Sequence, residues 1–229
     1  MTKIGVIGIG RLGLCLALNL ERAGYTVVGV DSNAAYIQAL RSKTYSTNEP
    51  NVNSYLAEAT SFIATTDLRS VIDPEIRMIF ICVPTPSAVD GTFDHSFIDQ
   101  ICTEMLKYDQ PAQETHLIIN STVMPGYCDT LHERMSQHGY TVSYNPEFIA
   151  QGTIIANQQY PDQVLIGQVN EHAGNEIEAV YRSFVQNEPR FSRMSRTEAE
   201  ITKLAVNCFL TTKIAFANAI GDLTIKHGG

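Results

Sequence analysis

The chain has 229 residues, of which 44% are hydrophobic and 17% charged, with a net charge of −8 at pH 7. That length suits one large domain, or one domain with part of another, and the composition is that of a globular protein with a sizeable core. The acidic balance argues against nucleic acid as a partner. The cysteines Cys15, Cys82, Cys102, Cys128 and Cys208 are scattered, with no CxxC pair. Each reads as a small buried hydrophobe, no metal site is expected, and a reducing, cytoplasmic setting fits best. Lys3 before an apolar stretch imitates a signal peptide, but Arg11 interrupts it, and no apolar run approaches the ~18 residues of a membrane span.

Strand-like and helix-like runs alternate along most of the length. Residues 4–7 and 26–30 are apolar runs with a helical pattern between them. Residues 34–42 read as a helix, 45–50 as a polar loop and 62–66 as a short strand. Residues 77–83 (RMIFICV) are almost wholly apolar, as expected of a strand buried on both faces. A Pro-rich loop follows, then a helix over 96–106 and strands over 115–119, 140–144 and 163–166. The pattern predicts a helix over 175–184 and a long one from 196 to 226, free of Pro and without Gly until Gly221. Such alternation specifies a Rossmann-type, doubly wound, mainly parallel α/β sheet, here followed by a long C-terminal helix. The expected division is a Rossmann-like domain over 1–195 and, over 196–229, the start of a connecting or dimerisation helix.

The most telling stretch is Gly8-Ile9-Gly10-Arg11-Leu12-Gly13, placed between the first strand and the first helix, with Asp31 directly after the second strand. Gly8 permits a tight turn, Gly10 lets the backbone approach a pyrophosphate, and Gly13 lets helix and strand pack closely. The helix N-terminus offers N–H groups and a positive dipole end to phosphates. Asp31 stands at the offset expected of an acid that binds an adenosine ribose, and no Arg beside it would receive a 2′-phosphate, so NAD is favoured over NADP.

Three further polar loops each follow an apolar strand: Pro84-Thr85-Pro86, Ser121-Thr122-Val123 and Asn145-Pro146-Glu147-Phe148. In an open α/β sheet, ligands bind outside the carboxyl ends of the strands. If the strands are parallel, all three loops share an edge with the glycine turn and could wall a substrate site. Local sequence leaves roles open. Thr122 could orient a hydroxyl or cap a backbone group. Glu147, after Pro146, could act chemically or simply sit at the N1 or N2 position of a short helix. Lys203 and Asn207, spaced i, i+4, share one face of the last helix. A buried Lys203 would suit proton transfer, whereas a lysine at a helix edge more often snorkels to water.

Taken together, these blocks resemble the N-terminal part of the UDP-glucose/GDP-mannose dehydrogenase family. The matching blocks are the GIGRLG turn with Asp31, Asn48-Glu49-Pro50, CVPTPSAVDGTFD (82–94), STVMPG (121–126), NPEF (145–148), PDQVLIG (161–167) and KLAVNCF (203–209). The resemblance implies NAD-dependent oxidation of a nucleotide sugar's C6 alcohol to a carboxylate, in two hydride transfers through a cysteine thioester. It implies cofactor contacts from Gly8, Gly10, Arg11, Leu12, Gly13, Asp31, Val83, Pro84, Thr85, Ser121 and Thr122. Substrate contacts would come from Glu147, Phe148, Ile149, Gln151, Lys203 and Asn207. Thr122 and Glu147 would hold water and the reacting C6 region, while Lys203 and Asn207 would stabilise the oxyanion and Lys203 assist proton removal. The partner would be a UDP- or GDP-linked hexose, and Ile214, Phe216 and Ile220 would either meet a second copy, as a homodimer through this helix, or pack onto the family's further domain; charge and run length leave no nucleic acid or membrane expected. Departures from the family pattern are Gln151 in place of a second acid, Tyr127 in place of Thr and Asn51 in place of Gly. The family's FGGSC segment with the thioester cysteine is absent from these 229 residues, so the chain is expected to bind NAD without completing the oxidation. Two other readings are a one-step β-hydroxyacid-type dehydrogenase, which also carries a Lys-x-x-x-Asn pair, and a non-catalytic NAD-binding regulatory module.

Overall fold

The chain opens with β1 (Lys3–Ile7), α1 (Arg11–Arg22), β2 (Thr26–Val30), α2 (Ala34–Arg41), α3 (Val52–Glu58), β3 (Phe62–Thr65) and β4 (Ile76–Ile81). There follow α4 (Ser96–Met105), β5 (Thr115–Ile119), α5 (Tyr127–Ser136), β6 (Tyr140–Tyr144) and α6 (Ile154–Gln159). The last elements are β7 (Gln163–Gly167), α7 (Glu171–Phe184), β8 (Arg190–Met194) and α8 (Arg196–Lys226). The computed structural model describes residues 2–108, 111, 113–149 and 152–228; Gln151 lies outside them.

Eight strands form one sheet in the order β3-β2-β1-β4-β5-β6-β7-β8. The first six are all parallel. β7 runs antiparallel to β6, touching it through Tyr144 and Gly167, and β8 is parallel to β7. Successive side chains of a strand face opposite sides, so the central strands feed two cores. Ile4, Val6, Met78 and Phe80 pack on one face with Leu14, Leu18 and Phe184 from α1 and α7. Ile7, Ile79 and Ile81 pack on the other with Ile98, Cys102 and Leu131 from α4 and α5. Burial on both faces is why these strands read as unbroken apolar runs.

Several elements escape the sequence pattern. α3, α5, α6 and β8 were not among the expected elements, β4 stops at Ile81 rather than at 83, and α7 begins at Glu171, where the Asn170 side chain accepts from the Ala173 N–H at 2.9 Å. α3 and α6 are only 7 and 6 residues long, too short to display a helical period. β8 (RFSRM) is half-exposed and carries two arginines. Asn51, one of the departures, takes a left-handed conformation (φ 68°) at the start of α3. Asn is among the few non-glycine residues that tolerate it.

α8 begins with a capping box between Ser195 and Glu198, which satisfies amide donors at the helix start reciprocally. Ala199, Glu200 and Lys203 are buried, while Phe209, Leu210, Ile214, Phe216, Ile220, Leu223 and Ile225 are exposed. Two expectations are corrected here. Cys208 is exposed and Cys82 only half-buried, rather than buried hydrophobes. α8 also contains an 18-residue window that is apolar enough, by length and composition alone, to cross a membrane. Thr and Asn interspersed with the apolar residues break the visible run without making its average polar.

Candidate functional site

The glycine turn is fastened by the Gly8 amide, which donates to the Val30 carbonyl at 2.8 Å. Gly8 has φ +85°, and a Cβ there would lie 2.8 Å from Val83 Cγ1. A Cβ on Gly13 would overlap the Gly8 carbonyl oxygen. The chain's own packing therefore demands both glycines. Gly10 differs: a Cβ there would meet nothing within 4 Å. The open space lies at the start of α1, whose N-cap Gly10 provides no side-chain cap. Arg11 and Leu12 occupy the exposed first turn. An uncapped helix start beside a backbone with no side chain is a cradle for a diphosphate.

Asp31 lies at the end of β2, its amide bonded to the Thr65 carbonyl at 3.1 Å. Its Oδ1 accepts from the Asn33 N–H at 3.0 Å; among the described residues, its Oδ2 has no protein partner. The donor set of the cradle and this acid fit a dinucleotide with an unphosphorylated ribose.

Because β1, β4, β5 and β6 are parallel, all three polar loops do stand on the edge of the glycine turn. Thr85 Oγ1 donates to the Thr122 carbonyl at 2.7 Å, and Ser121 Oγ to the Val83 carbonyl at 2.6 Å. The Ser121 hydroxyl is thereby used within the fold. Thr122 is half-buried and, among the described residues, its hydroxyl has no protein partner, so it does not act as a cap. Pro84 is exposed.

Glu147 sits in an irregular segment between β6 and α6, which overturns the reading that places it at the start of a short helix. Pro146 restricts Asn145 to an extended backbone, and the helix forms only at Ile154. Burial pushes the Glu147 carboxyl up to about 7, opposed by a hydrogen bond from Gln158 and by the nearby Lys203 charge. Lys203 is 7% exposed, so it does not snorkel to water. Its Nζ donates to the Glu147 backbone carbonyl at 2.5 Å and lies 4.5 Å from the centre of the Phe148 ring. Burial pulls its ammonium below the ordinary value, and Glu147 partly offsets this. Asn207 is half-buried one turn further along α8. Beside Glu147 lies a cavity of about 240 Å³ lined by Phe148, Ile149, Gln158, Tyr181 and Val206. A larger one of about 400 Å³ lies between Arg11 and Cys15 of α1, the loop at Tyr45 and Glu49, and Ile154.

Of the side chains that hold this edge, sequence reasoning named Asn145 and Glu49 without a role and missed Asn120 and Glu200. Asn145 donates to the Leu165 carbonyl at 2.9 Å and accepts from Tyr181 Oη at 2.7 Å, while Asn120 donates to its backbone carbonyl at 2.5 Å. Glu49 accepts from the Ile154 N–H at 2.5 Å, docking the Asn48-Glu49-Pro50 loop on α6. Buried Glu200 accepts from the Gly126 and Cys128 amides at 2.6 and 2.8 Å at the start of α5. The signal available was a polar residue next to a motif; the partner could not be read, because each bond spans distant parts of the chain.

The parallel sheet and its phosphate cradle define a Rossmann-type dinucleotide-binding protein. A model of the NAD-binding domain of the UDP-glucose/GDP-mannose dehydrogenase family matches residues 2–185, and the chain belongs to that family. It is 28% identical to GDP-mannose 6-dehydrogenase of Azotobacter vinelandii, over 99% of this chain and 54% of that protein. It is also 28% identical to UDP-glucose 6-dehydrogenase of Rickettsia typhi, over 99% of this chain and 52% of that protein. A ternary complex of GDP-mannose dehydrogenase from Pseudomonas aeruginosa superposes with a TM-score of 0.90 at 26% identity, covering 100% of this chain and 54% of that one. UDP-D-ManNAc dehydrogenase from Pyrococcus horikoshii gives 0.88 at 28% identity, covering 99% and 55%. The chain spans about half the length of the curated relatives it matches.

Proposed function

We propose that the chain is the NAD-binding portion of a nucleotide-sugar 6-dehydrogenase of the UDP-glucose 6-dehydrogenase type. Residues 1–195 form the cofactor domain, and 196–229 begin a connecting helix through which two copies associate. The observation that supports this reading is Lys203, buried on the sheet edge that bears the glycine cradle and bonded to the backbone of half-buried Glu147. In this reading Gly8, Gly10, Arg11, Leu12 and Gly13 hold the diphosphate and Asp31 the adenosine ribose. Val83, Pro84, Thr85, Ser121 and Thr122 border the nicotinamide end. Bound NAD⁺ supplies the hydride acceptor. Lys203, whose ammonium burial destabilises, takes the proton of the C6 hydroxyl and, once protonated, faces the oxygen on which charge develops. Thr122, Glu147 and Asn207 orient that oxygen and a water. Phe148, Ile149 and Gln151 border the sugar.

The second oxidation requires a thiolate nucleophile. Burial raises the thiols of Cys15, Cys82, Cys102 and Cys128, which disfavours the thiolate, and Cys208 is exposed on the outer part of α8. We therefore expect this chain to bind NAD⁺ and to form no uronic acid from UDP-glucose or GDP-mannose. Calorimetric titration with NAD⁺ and chromatography of the sugar products test both halves. Failure to bind NAD⁺, or turnover of small 3-hydroxy acids in preference to nucleotide sugars, overturns the reading. A cytoplasmic setting and a role in polysaccharide biosynthesis belong to the same proposal.

A further inference from the structure

Behind Glu147 runs a line of three amides, two of them buried, that the reaction described above does not use. Gln158 Nε2 donates to Glu147 Oε1 at 3.3 Å. Gln158 Oε1 accepts from Asn19 Nδ2 at 3.0 Å. Asn19 Oδ1 in turn accepts from Gln159 Nε2 at 3.0 Å, and the same Gln159 nitrogen reaches Tyr55 Oη at 3.3 Å. Gln158 is 2% exposed and Asn19 1% exposed. These groups come from three helices: Tyr55 from α3, Asn19 from the apolar face of α1, and Gln158 and Gln159 from α6.

A carboxamide has one accepting and one donating end. Gln159 presents N–H to Asn19, so Asn19 turns its oxygen toward Gln159 and its nitrogen toward Gln158. The Gln158 oxygen must then face Asn19, which leaves its nitrogen pointing at Glu147. Turning Asn19 or Gln158 over alone would set two donors or two acceptors against each other out of reach of water, a mismatch that costs far more than a surface one.

We propose that Gln158 is a positioning residue for Glu147, its amide held by Asn19 in the orientation that donates to the Glu147 carboxyl. A fixed donor favours the carboxylate over the neutral acid. It opposes the burial that favours the acid and fixes which Glu147 oxygen is held inward. The other charged or titratable groups near this carboxyl are Lys203 of α8, Tyr181 of α7, Cys15 of α1 and Cys82 after β4. The proposal takes Glu147 as a member of the reacting site from the function proposed above, but its test does not depend on that role.

The test is the ionisation of Glu147 in the whole chain, followed through the carboxyl carbon by NMR with labelled Glu and assigned by loss of the signal in Glu147→Gln. In Gln158→Met, of similar size without a donor, the midpoint should rise by roughly one pH unit, the effect of one hydrogen bond to a charged group. Asn19→Leu leaves Gln158 in place but frees its amide to turn, so the midpoint should rise by a smaller amount. Near-UV circular dichroism and NAD⁺ affinity show that each variant is folded, and either variant alone suffices. An unchanged or lowered midpoint in a folded variant overturns the proposal, because filling of space alone would not move the titration. If the midpoints shift as expected but Glu147→Gln leaves nucleotide-sugar oxidation by the enzyme containing this chain unaltered, the relay stands and the role given to Glu147 fails.

Discussion

Three glycines of one turn perform different tasks. Gly8 and Gly13 are required by neighbouring protein atoms, whereas a Cβ on Gly10 would meet nothing within 4 Å, and only the cofactor of the proposed function calls for glycine there. Gly13→Ala should therefore destabilise the fold by several kcal/mol, through backbone displacement and overpacking. Gly10→Ala should melt within a few degrees of the parent yet lose NAD⁺ affinity by tenfold or more, on the order of a blocked close approach. Thermal melts combined with calorimetric titration separate the two. Asp31→Ala should weaken NAD⁺ by roughly tenfold or more, the worth of hydrogen bonds from the ribose to a charged group; unchanged affinity would remove Asp31 from the cofactor site. Glu147 gives a pH signature. Its carboxyl, moved from the ordinary 4.5 to about 7, keeps its proton in the folded chain while the unfolded chain loses it. Stability should then be highest below about pH 4.5 as far as this group is concerned, fall as pH rises toward 7, and level off above, by a few kcal/mol at most, or about 3. Glu147→Gln, which cannot ionise, should gain stability relative to the parent at pH 8 but not at pH 4, as urea unfolding at the two values would show.

At the scale of elements, the base of α8 is the piece that assembles the site. Glu200 holds the start of α5, Lys203 holds the segment carrying Glu147, and Arg196 pairs with Asp129 at 2.6 Å. The first two turns of α8 thus tie together segments that meet the sheet edge from different strands. Glu200→Gln keeps one acceptor but loses the charge that the α5 dipole favours. It should cost about 1–2 kcal/mol in urea unfolding, the usual worth of a cap, with NAD⁺ binding little changed because the glycine turn is not involved. The sequence reading of this helix was accurate in extent, from Arg196 to Lys226, because 31 residues display their period clearly. α3 and α6 were missed because so few turns display none, although α6 supplies both Gln158 and Gln159.

For the whole molecule, the outer part of α8 leaves Ile214 and Phe216 60% and 68% exposed. Two residues apart, they point to different sides of the helix, so apolar side chains are exposed around it rather than along one stripe. In the function proposed here a second copy covers them, so Ile214→Lys with Phe216→Lys should convert a dimer to a monomer in sedimentation while the cofactor domain stays folded. A parent chain that sediments as a monomer would count against that association.

The linear order of residues was enough for the doubly wound sheet, the glycine turn with Asp31 and the family, because these rest on local runs and short spacings. It was also enough to single out Lys203 with Asn207. It could not decide whether Lys203 was buried or at the surface, or whether Glu147 began a helix. Those depend on how α8 crosses the sheet edge and on what covers a side chain, which no local pattern encodes. The amides behind Glu147 were invisible for the same reason: Asn19 and Gln158 are 139 positions apart, and only the packing of α1 against α6 gives each the partner that fixes its orientation.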